Sequence, residues 1–175
     1  MNVTVFGGAR PRPGEPEYEV ALHLGSLLGK AGHTVLTGGY TGTMEAVSRG
    51  ASEAGGHVIG VTCREIEAWR STPANPWVKE ERLMNTLEER ILALINGCEA
   101  ALALPGGAGT LAEVSILWNR LLIEAVPPRK VILIGAGWKT VFETLFQAQP
   151  RHLDGHDTRW LLFAPSVDDA VNMLD

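Results

Sequence analysis

The stretch Ala100-Ala-Leu-Ala-Leu104-Pro105-Gly-Gly-Ala-Gly109-Thr110 joins a short apolar run to a helical segment through a glycine-rich turn. An apolar run without polar alternation is typical of a central strand that is covered on both faces. Residues 110–125 have the length and the apolar spacing of a helix. A strand, a glycine turn and a helix in this order predict one unit of a parallel α/β sheet.

The same alternation of apolar runs and helical segments continues along the chain. Predicted strands cover residues 3–6, 34–37, 57–61, 100–104, 130–134 and 160–163. Predicted helices cover residues 15–31, 43–54, 83–97, 110–125, 140–148 and 166–174. This pattern predicts one α/β domain over residues 1–175, a Rossmann-like, doubly wound parallel sheet with helices on both faces. Residues 62–82 break the rhythm, and we expect either a lid or an irregular surface insertion there.

Composition and charge exclude several classes of protein. The chain has 45% hydrophobic and 20% charged residues, as globular domains do. No apolar run approaches the roughly 18 residues of a membrane span, and the N-terminus lacks a secretory signal pattern, so we expect a cytoplasmic protein without membrane contact. A formal net charge of -5 argues against nucleic acid and favours a small-molecule partner. Cys63 and Cys98 have no metal-ligand spacing, which predicts reduced thiols.

Three predicted strands end in glycine-rich turns. They read Gly7-Gly8-Ala9-Arg10, Gly38-Gly39-Tyr-Thr-Gly42-Thr43 and Pro105-Gly106-Gly107-Ala-Gly109-Thr110. Glycine lets a ligand approach the backbone, and a following helix N-terminus presents free N–H groups and a partial positive charge. In a doubly wound sheet the three turns converge on one crevice, which predicts a phosphate or nucleotide site. Neither G-x-G-x-x-G nor the Gly-Lys-Ser/Thr of a P-loop is present, which disfavours an NAD oxidoreductase or an ATPase.

One arginine lies where an apolar residue is expected. Arg90 belongs to a helical stripe whose other members are Leu83, Leu87, Ile91 and Leu94. We therefore expect Arg90 to point inward, and an inward guanidinium needs an acid or a phosphate from elsewhere. Glu113 is the candidate acid. The alternative is that Thr110-Leu-Ala-Glu113 forms a capping box, in which the carboxylate only accepts the N–H at the helix start.

The segment Pro105-Gly-Gly-Ala-Gly-Thr-Leu-Ala-Glu113 resembles the P-G-G-x-G-T-x-x-E motif of the LONELY GUY (LOG) family. These proteins are cytokinin riboside 5′-monophosphate phosphoribohydrolases that are often mislabelled lysine decarboxylases. The resemblance extends over residues 3–134 and includes the first two glycine turns and Gly55-Gly56-His-Val-Ile-Gly60-Val61. It implies a nucleotide-binding domain, commonly a homodimer, with Arg90 and Glu113 as the catalytic pair.

The resemblance implies hydrolysis of the N-glycosidic bond of a purine ribonucleoside 5′-monophosphate, of the AMP or cytokinin type, with no cofactor and no metal. Glu113 would stabilise the oxocarbenium ion or orient the attacking water, as carboxylates do in glycoside hydrolysis. Arg90 would keep Glu113 ionised and in position and could also contact the ribose or the phosphate. The 5′-phosphate would lie on N–H groups of the glycine turns. The residues expected to bind the nucleotide are Gly7, Gly8, Gly39, Gly42, Thr43, Gly106, Gly107, Gly109 and Thr110.

The chain also departs from the family pattern. Plant-type members have Met-His-x-Arg-Lys where this chain has Leu87-Glu-Glu-Arg90-Ile91, and Ala9 replaces a common serine. In these respects the chain resembles the wider superfamily, which includes molybdenum cofactor carriers and nucleotide-sensing modules. A carrier of a nucleotide or of molybdenum cofactor, or a sensor, is therefore the alternative to a hydrolase. An inward arginine paired with a carboxylate favours the hydrolase, since phosphate binding alone does not need that pair.

Smaller signals have two interpretations each. Arg10 and Arg12 flank the first glycine turn, where they either add positive potential to the crevice or remain solvated. Trp69 or Trp77 either stacks on a base or packs against a neighbouring helix. Residues 152–157 resemble a metal cluster in composition, but their place in a turn after proline predicts that they bind no metal.

Overall fold

The computed structural model describes residues 1–174 and contains a seven-stranded parallel sheet. The strands are β1 (Asn2–Phe6), β2 (Thr34–Thr37), β3 (Val58–Cys63), β4 (Glu80–Met84), β5 (Ala100–Ala103), β6 (Lys130–Ile134) and β7 (Leu161–Ala164). The helices are α1 (Pro16–Lys30), α2 (Thr43–Glu53), α3 (Arg64–Arg70), α4 (Leu87–Asn96), α5 (Ala108–Leu122), α6 (Ala136–Ala148), α7 (Gly155–Thr158) and α8 (Val167–Asn172). The strand order is β4-β3-β2-β1-β5-β6-β7, which confirms the predicted α/β class.

Two apolar cores lie on opposite faces of the sheet. Side chains alternate between the faces along each strand, so Val35 of β2 packs in the first core and the adjacent Leu36 packs in the second. Helices α1, α2 and α8 cover the first core, and α4, α5 and α6 cover the second. The sheet is therefore covered on both faces, as the nearly continuous apolar strands require.

Helices α1 and α2 approach each other closely because glycine occupies their contact positions. A Cβ atom at Gly25 would collide with the carbonyl oxygen of Val47, and one at Gly50 would collide with the carbonyl oxygen of Leu22. This backbone-to-backbone packing fixes α2 behind β1 and β2. It thereby also fixes the N-terminus of α2 beside the turn that follows β1.

Residues 62–82 contain an edge strand and a helix that the sequence did not predict. Helix α3 follows β3 directly, and β4 then pairs in parallel with β3. The predicted helix start at residue 83 is wrong, because Leu83 belongs to β4 and α4 begins at Leu87. The hydroxyl of Thr86 accepts the N–H of Glu89 at 3.2 Å and so caps α4. The sequence of β4 does not show a continuous apolar run, because an edge strand tolerates the charged residues 80–82. For this reason the strand was not predicted.

All six predicted strands are present. The helix predicted over residues 140–148 begins earlier, at Ala136, because Gly135 has a φ of 98° and turns the chain from β6 into α6 without a loop. Among residues 1–174, no helix combines the length and the apolar character that crossing a membrane requires.

Candidate active site

Three glycine turns lie side by side at the carboxyl ends of β1, β2 and β5. We call them the β1 turn (residues 7–10), the β2 turn (residues 38–43) and the β5 turn (residues 105–110). The N–H of Gly8 donates to the carbonyl of Pro105 at 3.3 Å. The N–H and the hydroxyl of Thr43 both donate to the carbonyl of Gly8 at 2.9 Å. These bonds bring the turns together in the predicted crevice.

The crevice holds a cavity of about 1030 Å³. Eight of the residues expected in the site line it, namely Gly7, Gly8, Arg90, Gly106, Gly107, Gly109, Thr110 and Glu113. Gly39, Gly42 and Thr43 do not line it. The carbonyl of Gly39 accepts the backbone N–H and the side-chain amide of Asn75 at 2.8 and 3.0 Å. Apart from the exposed Thr41, the residues of the β2 turn are thus buried, and none of the turn lines the cavity.

Arg90 points inward from the first turns of α4, as predicted, and is 6% exposed. Its Nε donates to the carbonyl of Val61 at 2.8 Å, and its Nη2 donates to the carbonyl of Gly38 at 3.1 Å. Its Nη1 lies 3.5 Å from Oε1 of Glu113. Two neutral carbonyls therefore fix the plane of the guanidinium, so that Nη1 is the group directed toward the acid.

The environment of Arg90 includes residues that the sequence did not indicate. A Cβ atom at Gly38 would collide with Nη2 of Arg90, so only glycine leaves room for the guanidinium. The ring of Tyr40 lies with its centroid 5.7 Å from the guanidinium carbon, and the thioether of Met44 lies 3.7 Å from Nη2. The sequence signal that could have indicated this environment was a tyrosine within a glycine-rich turn. Its partner on α4 was not apparent from local spacing.

Glu113 lies within α5 and is 8% exposed. The capping-box alternative is wrong, because α5 begins at Ala108 with Gly107 as its N-cap, which places Thr110 and Glu113 inside the helix. Burial raises the pKa of Glu113 to about 7, and the positive charge of Arg90 opposes this rise only in part. The prediction that Arg90 keeps Glu113 ionised therefore holds only in part. A carboxyl group with a pKa of about 7 is partly protonated at neutral pH.

The N-terminus of α5 opens into the same cavity. The first backbone hydrogen bond of the helix runs from the N–H of Leu111 to the carbonyl of Gly107 at 3.0 Å. The N–H groups of Ala108, Gly109 and Thr110 precede it and have no acceptor within the helix. A Cβ atom at Gly107 or Gly109 would extend into open space. An anion therefore has free access to this helix end.

The structure distinguishes between the two tryptophans and between the two arginines that were candidates for ligand contact. Trp69 lines the cavity and is 81% exposed, whereas Trp77 is partly buried with the guanidinium of Arg49 at 5.5 Å from its ring centroid. Arg10 lines the cavity as an exposed side chain, and Arg12 does not line it. Trp69 is thus the tryptophan available to a planar ligand.

Asp154, His156 and Asp157 place ligand-type atoms within 4.8 Å of one another. One oxygen of Asp154 accepts the backbone N–H groups of both His156 and Asp157, at 2.7 and 3.2 Å. The side chain of Asp157 in turn accepts the N–H of Asp154. The cluster is therefore the capping box of α7, and the absence of a bound metal there stays a prediction.

The fold and the site together define a Rossmann-like protein with a candidate ligand-binding cavity. A Rossmann-like parallel sheet carries three joined glycine turns, a free helix N-terminus and a buried arginine and glutamate in one cavity. The model of the SLOG cluster4 family matches residues 1–143, and the chain belongs to this family.

Curated relatives support the predicted resemblance to LOG proteins. A probable cytokinin riboside 5′-monophosphate phosphoribohydrolase from Oryza sativa, LOGL9, is 34% identical over 128 residues, which cover 71% of this chain and 56% of the relative. A pyrimidine/purine nucleotide 5′-monophosphate nucleosidase from Escherichia coli K12 is 34% identical over 134 residues, or 71% of this chain and 29% of the relative. The chain thus matches about half of the rice protein and less of the bacterial one.

Solved structures share the fold. The molybdenum cofactor binding protein from Rippkaea orientalis superposes with a TM-score of 0.76 at 22% identity, covering 98% of this chain and 93% of that protein. The molybdenum cofactor carrier protein from Chlamydomonas reinhardtii gives a TM-score of 0.75 at 22% identity, covering 98% and 94% of the two chains. At this identity the likeness concerns the fold alone.

Proposed function

We propose that the protein hydrolyses the N-glycosidic bond of a purine ribonucleoside 5′-monophosphate and releases the free base and ribose 5-phosphate. The observation that carries this proposal is the buried carboxyl group of Glu113, which lies 3.5 Å from Arg90 in the cavity onto which α5 opens. The relatives named as phosphoribohydrolase and nucleosidase support the same reaction class.

The phosphate of the substrate would lie at the N-terminus of α5. The N–H groups of Ala108, Gly109 and Thr110 are free there, and the helix end carries roughly half a positive charge. The neighbouring glycines let the phosphate reach the backbone without meeting a side chain. This arrangement binds the non-reacting end of the nucleotide and leaves the ribose to extend toward Glu113, one helical turn further along α5.

Glu113 would act at the glycosidic carbon. As the bond from C1′ to the base nitrogen breaks, its electron pair leaves with the base and C1′ becomes positively charged. The ionised carboxylate stabilises this cation and accepts a proton from the water that adds to C1′, and this proton then passes to the departing base, which leaves as the neutral free base. A pKa of about 7 suits a group that holds and releases a proton near neutral pH. Arg90 positions this carboxylate through its fixed Nη1.

The direct test is release of ribose 5-phosphate from AMP and from isopentenyladenosine monophosphate. Glu113→Gln keeps the shape of the side chain but cannot ionise, so we expect its kcat to fall by about 100-fold or more while nucleotide binding is retained. Glu88→Gln makes the same chemical change at an exposed position of α4 and serves as the matched control. Tight nucleotide binding by the wild type without any release would overturn the hydrolase and indicate a carrier or sensor.

The pH dependence of the rate gives a second test. Because the ionised form of Glu113 is the active one in this mechanism, kcat/KM is expected to rise with pH and to level off above the pKa of about 7. A rate that falls as pH rises through 7 would show that the protonated form is needed instead.

The same pKa predicts a pH dependence of stability. The folded state holds the proton of Glu113 more tightly than the unfolded state, whose pKa lies near 4.5. This contribution, about 3 kcal/mol at most, is fully present below pH 4.5 and is lost as pH rises through about 7. Urea unfolding of wild type and Glu113→Gln between pH 4.5 and 8 measures it. The difference in unfolding free energy should shift in favour of Glu113→Gln as pH rises.

A homodimer is part of the proposal. Helix α5 and its C-cap leave three apolar side chains exposed, namely Leu111 at 40%, Ile116 at 36% and Ile123 at 66%. Covering such side chains with a second copy would remove apolar surface from water. Sedimentation velocity of the wild type and of Ile123→Glu tests this, since a dimer that uses α5 should dissociate in the variant.

A further inference from the structure

Arg70 is the last residue of α3 and lines the cavity from the side of residues 62–82. The carbon of its guanidinium lies 5.0 Å from the ring centroid of Tyr40 and 5.9 Å from that of Trp69. Tyr40 is fully buried, and its ring also contacts Arg90. One buried ring thus supports two guanidinium groups that face the same cavity.

The hydrogen bonding of Arg70 is incomplete. Its Nε is buried and has no acceptor among residues 1–174. No carboxylate oxygen of the described chain lies within 4.0 Å of its guanidinium. A buried donor without an acceptor costs roughly 1–3 kcal/mol, and more when the group is charged. Arg70 therefore has no anionic partner within the described chain, and an anionic ligand in the cavity would supply one.

The distribution of charge around the cavity also favours an anionic ligand at Arg70. Arg90 already donates to the carbonyls of Val61 and Gly38 and faces Glu113, so few of its N–H groups remain for a ligand. Arg10 is exposed and makes no ion pair in the part of the chain that the structure describes. A phosphate monoester carries roughly -1.5 to -2 charges at neutral pH, which the end of α5 balances only in part. Arg70 is the remaining cation that is held in place beside the cavity.

We infer that Arg70 binds the phosphate of the ligand and selects a phosphorylated nucleoside over the free nucleoside. This inference rests on the proposed function for the identity of the ligand, but it requires binding only and not hydrolysis. Stacking on Tyr40 holds the guanidinium in one orientation before the ligand arrives, which reduces the entropy lost on binding. The guanidinium then offers paired N–H donors that match phosphate oxygens.

Calorimetric titration with AMP, adenosine and ribose 5-phosphate tests the inference. We expect Arg70→Gln to weaken binding of AMP and of ribose 5-phosphate by about tenfold or more, because a charge-assisted hydrogen bond is lost. Affinity for adenosine should change by less than about twofold, since adenosine lacks the phosphate. Arg64→Gln removes the same charge from the same helix at an exposed position outside the cavity, and it should bind all three ligands like the wild type.

Several outcomes would overturn the role of Arg70. These are unchanged AMP affinity in Arg70→Gln, an equal loss for adenosine and AMP, or no binding of any of the three ligands by the wild type. Circular dichroism and the melting temperature verify that each variant is folded. Turnover of AMP together with unaltered AMP affinity in Arg70→Gln would remove this inference but keep the hydrolase. Arg70-dependent phosphate binding without turnover would keep this inference and remove the hydrolase.

Discussion

The β2 turn and the β5 turn are alike in sequence but differ in their surroundings. Both contain three glycines and end in threonine at or near the start of a helix. Every residue of the β2 turn except Thr41 is buried, whereas residues 105–109 of the β5 turn are all exposed. The first turn supports the wall of the crevice, and the second faces the cavity. A glycine turn after a strand therefore does not by itself identify a ligand contact.

The two threonines show the difference most clearly. Thr43 donates its N–H and its hydroxyl to the carbonyl of Gly8, so neither donor is available to a ligand. The hydroxyl of Thr110 makes no hydrogen bond within residues 1–174, and this residue lines the cavity. The last threonine of the β2 turn thus stabilises the fold, whereas the last threonine of the β5 turn is available for binding.

The largest expected difference between the two turns concerns the room that each leaves for a side chain at its glycines. Gly42 has a φ of 74°, and a Cβ atom there would lie 2.6 Å from the Cα of Ala9. Gly42→Ala combines a left-handed backbone with overpacking and should lower the free energy of unfolding by about 3 kcal/mol. Gly107→Ala, which meets no atom within 4 Å, should change it by less than about 0.5 kcal/mol. Urea denaturation measures both, and equal losses would refute the contrast.

The two threonines give the next test. Thr43→Val removes a buried hydroxyl that donates at 2.9 Å and should cost about 1 kcal/mol of stability. Thr110→Val should leave stability nearly unchanged and weaken AMP binding by about fivefold, the value of one neutral hydrogen bond. Denaturation and calorimetric titration of both variants are needed. A stability loss that is larger for Thr110→Val than for Thr43→Val would reverse the assigned roles.

The sequence predicted most of the sheet because central strands are continuous apolar runs. It missed β4, since the charged residues 80–82 of an edge strand lack that signal. It placed Arg90 inward correctly, although two members of the supporting stripe were misplaced. Leu83 belongs to β4, and Leu87 is 41% exposed.

The contacts of the site were harder to predict than its residues. Glu113 gained its proposed role through a resemblance, because its local pattern by itself favoured a capping box. Gly38 and Tyr40 contact Arg90 at the carboxyl end of the sheet. Such contacts follow from the order of the strands in the sheet rather than from spacing along the chain. Arg70 was missed because α3 itself was not predicted.

The smallest expected effect separates stability from binding at a single position. Gly109 is the second residue of α5 and has no atom within 4 Å of its Cβ position. Gly109→Ala should raise the free energy of unfolding by about 0.5 kcal/mol, because alanine restricts the unfolded chain and favours the helix. The added methyl group lies where the phosphate would approach the backbone, so AMP affinity should fall while stability rises. Unchanged AMP affinity would place the phosphate away from α5, and lower stability would show that the β5 turn, like the β2 turn, needs its glycine for packing.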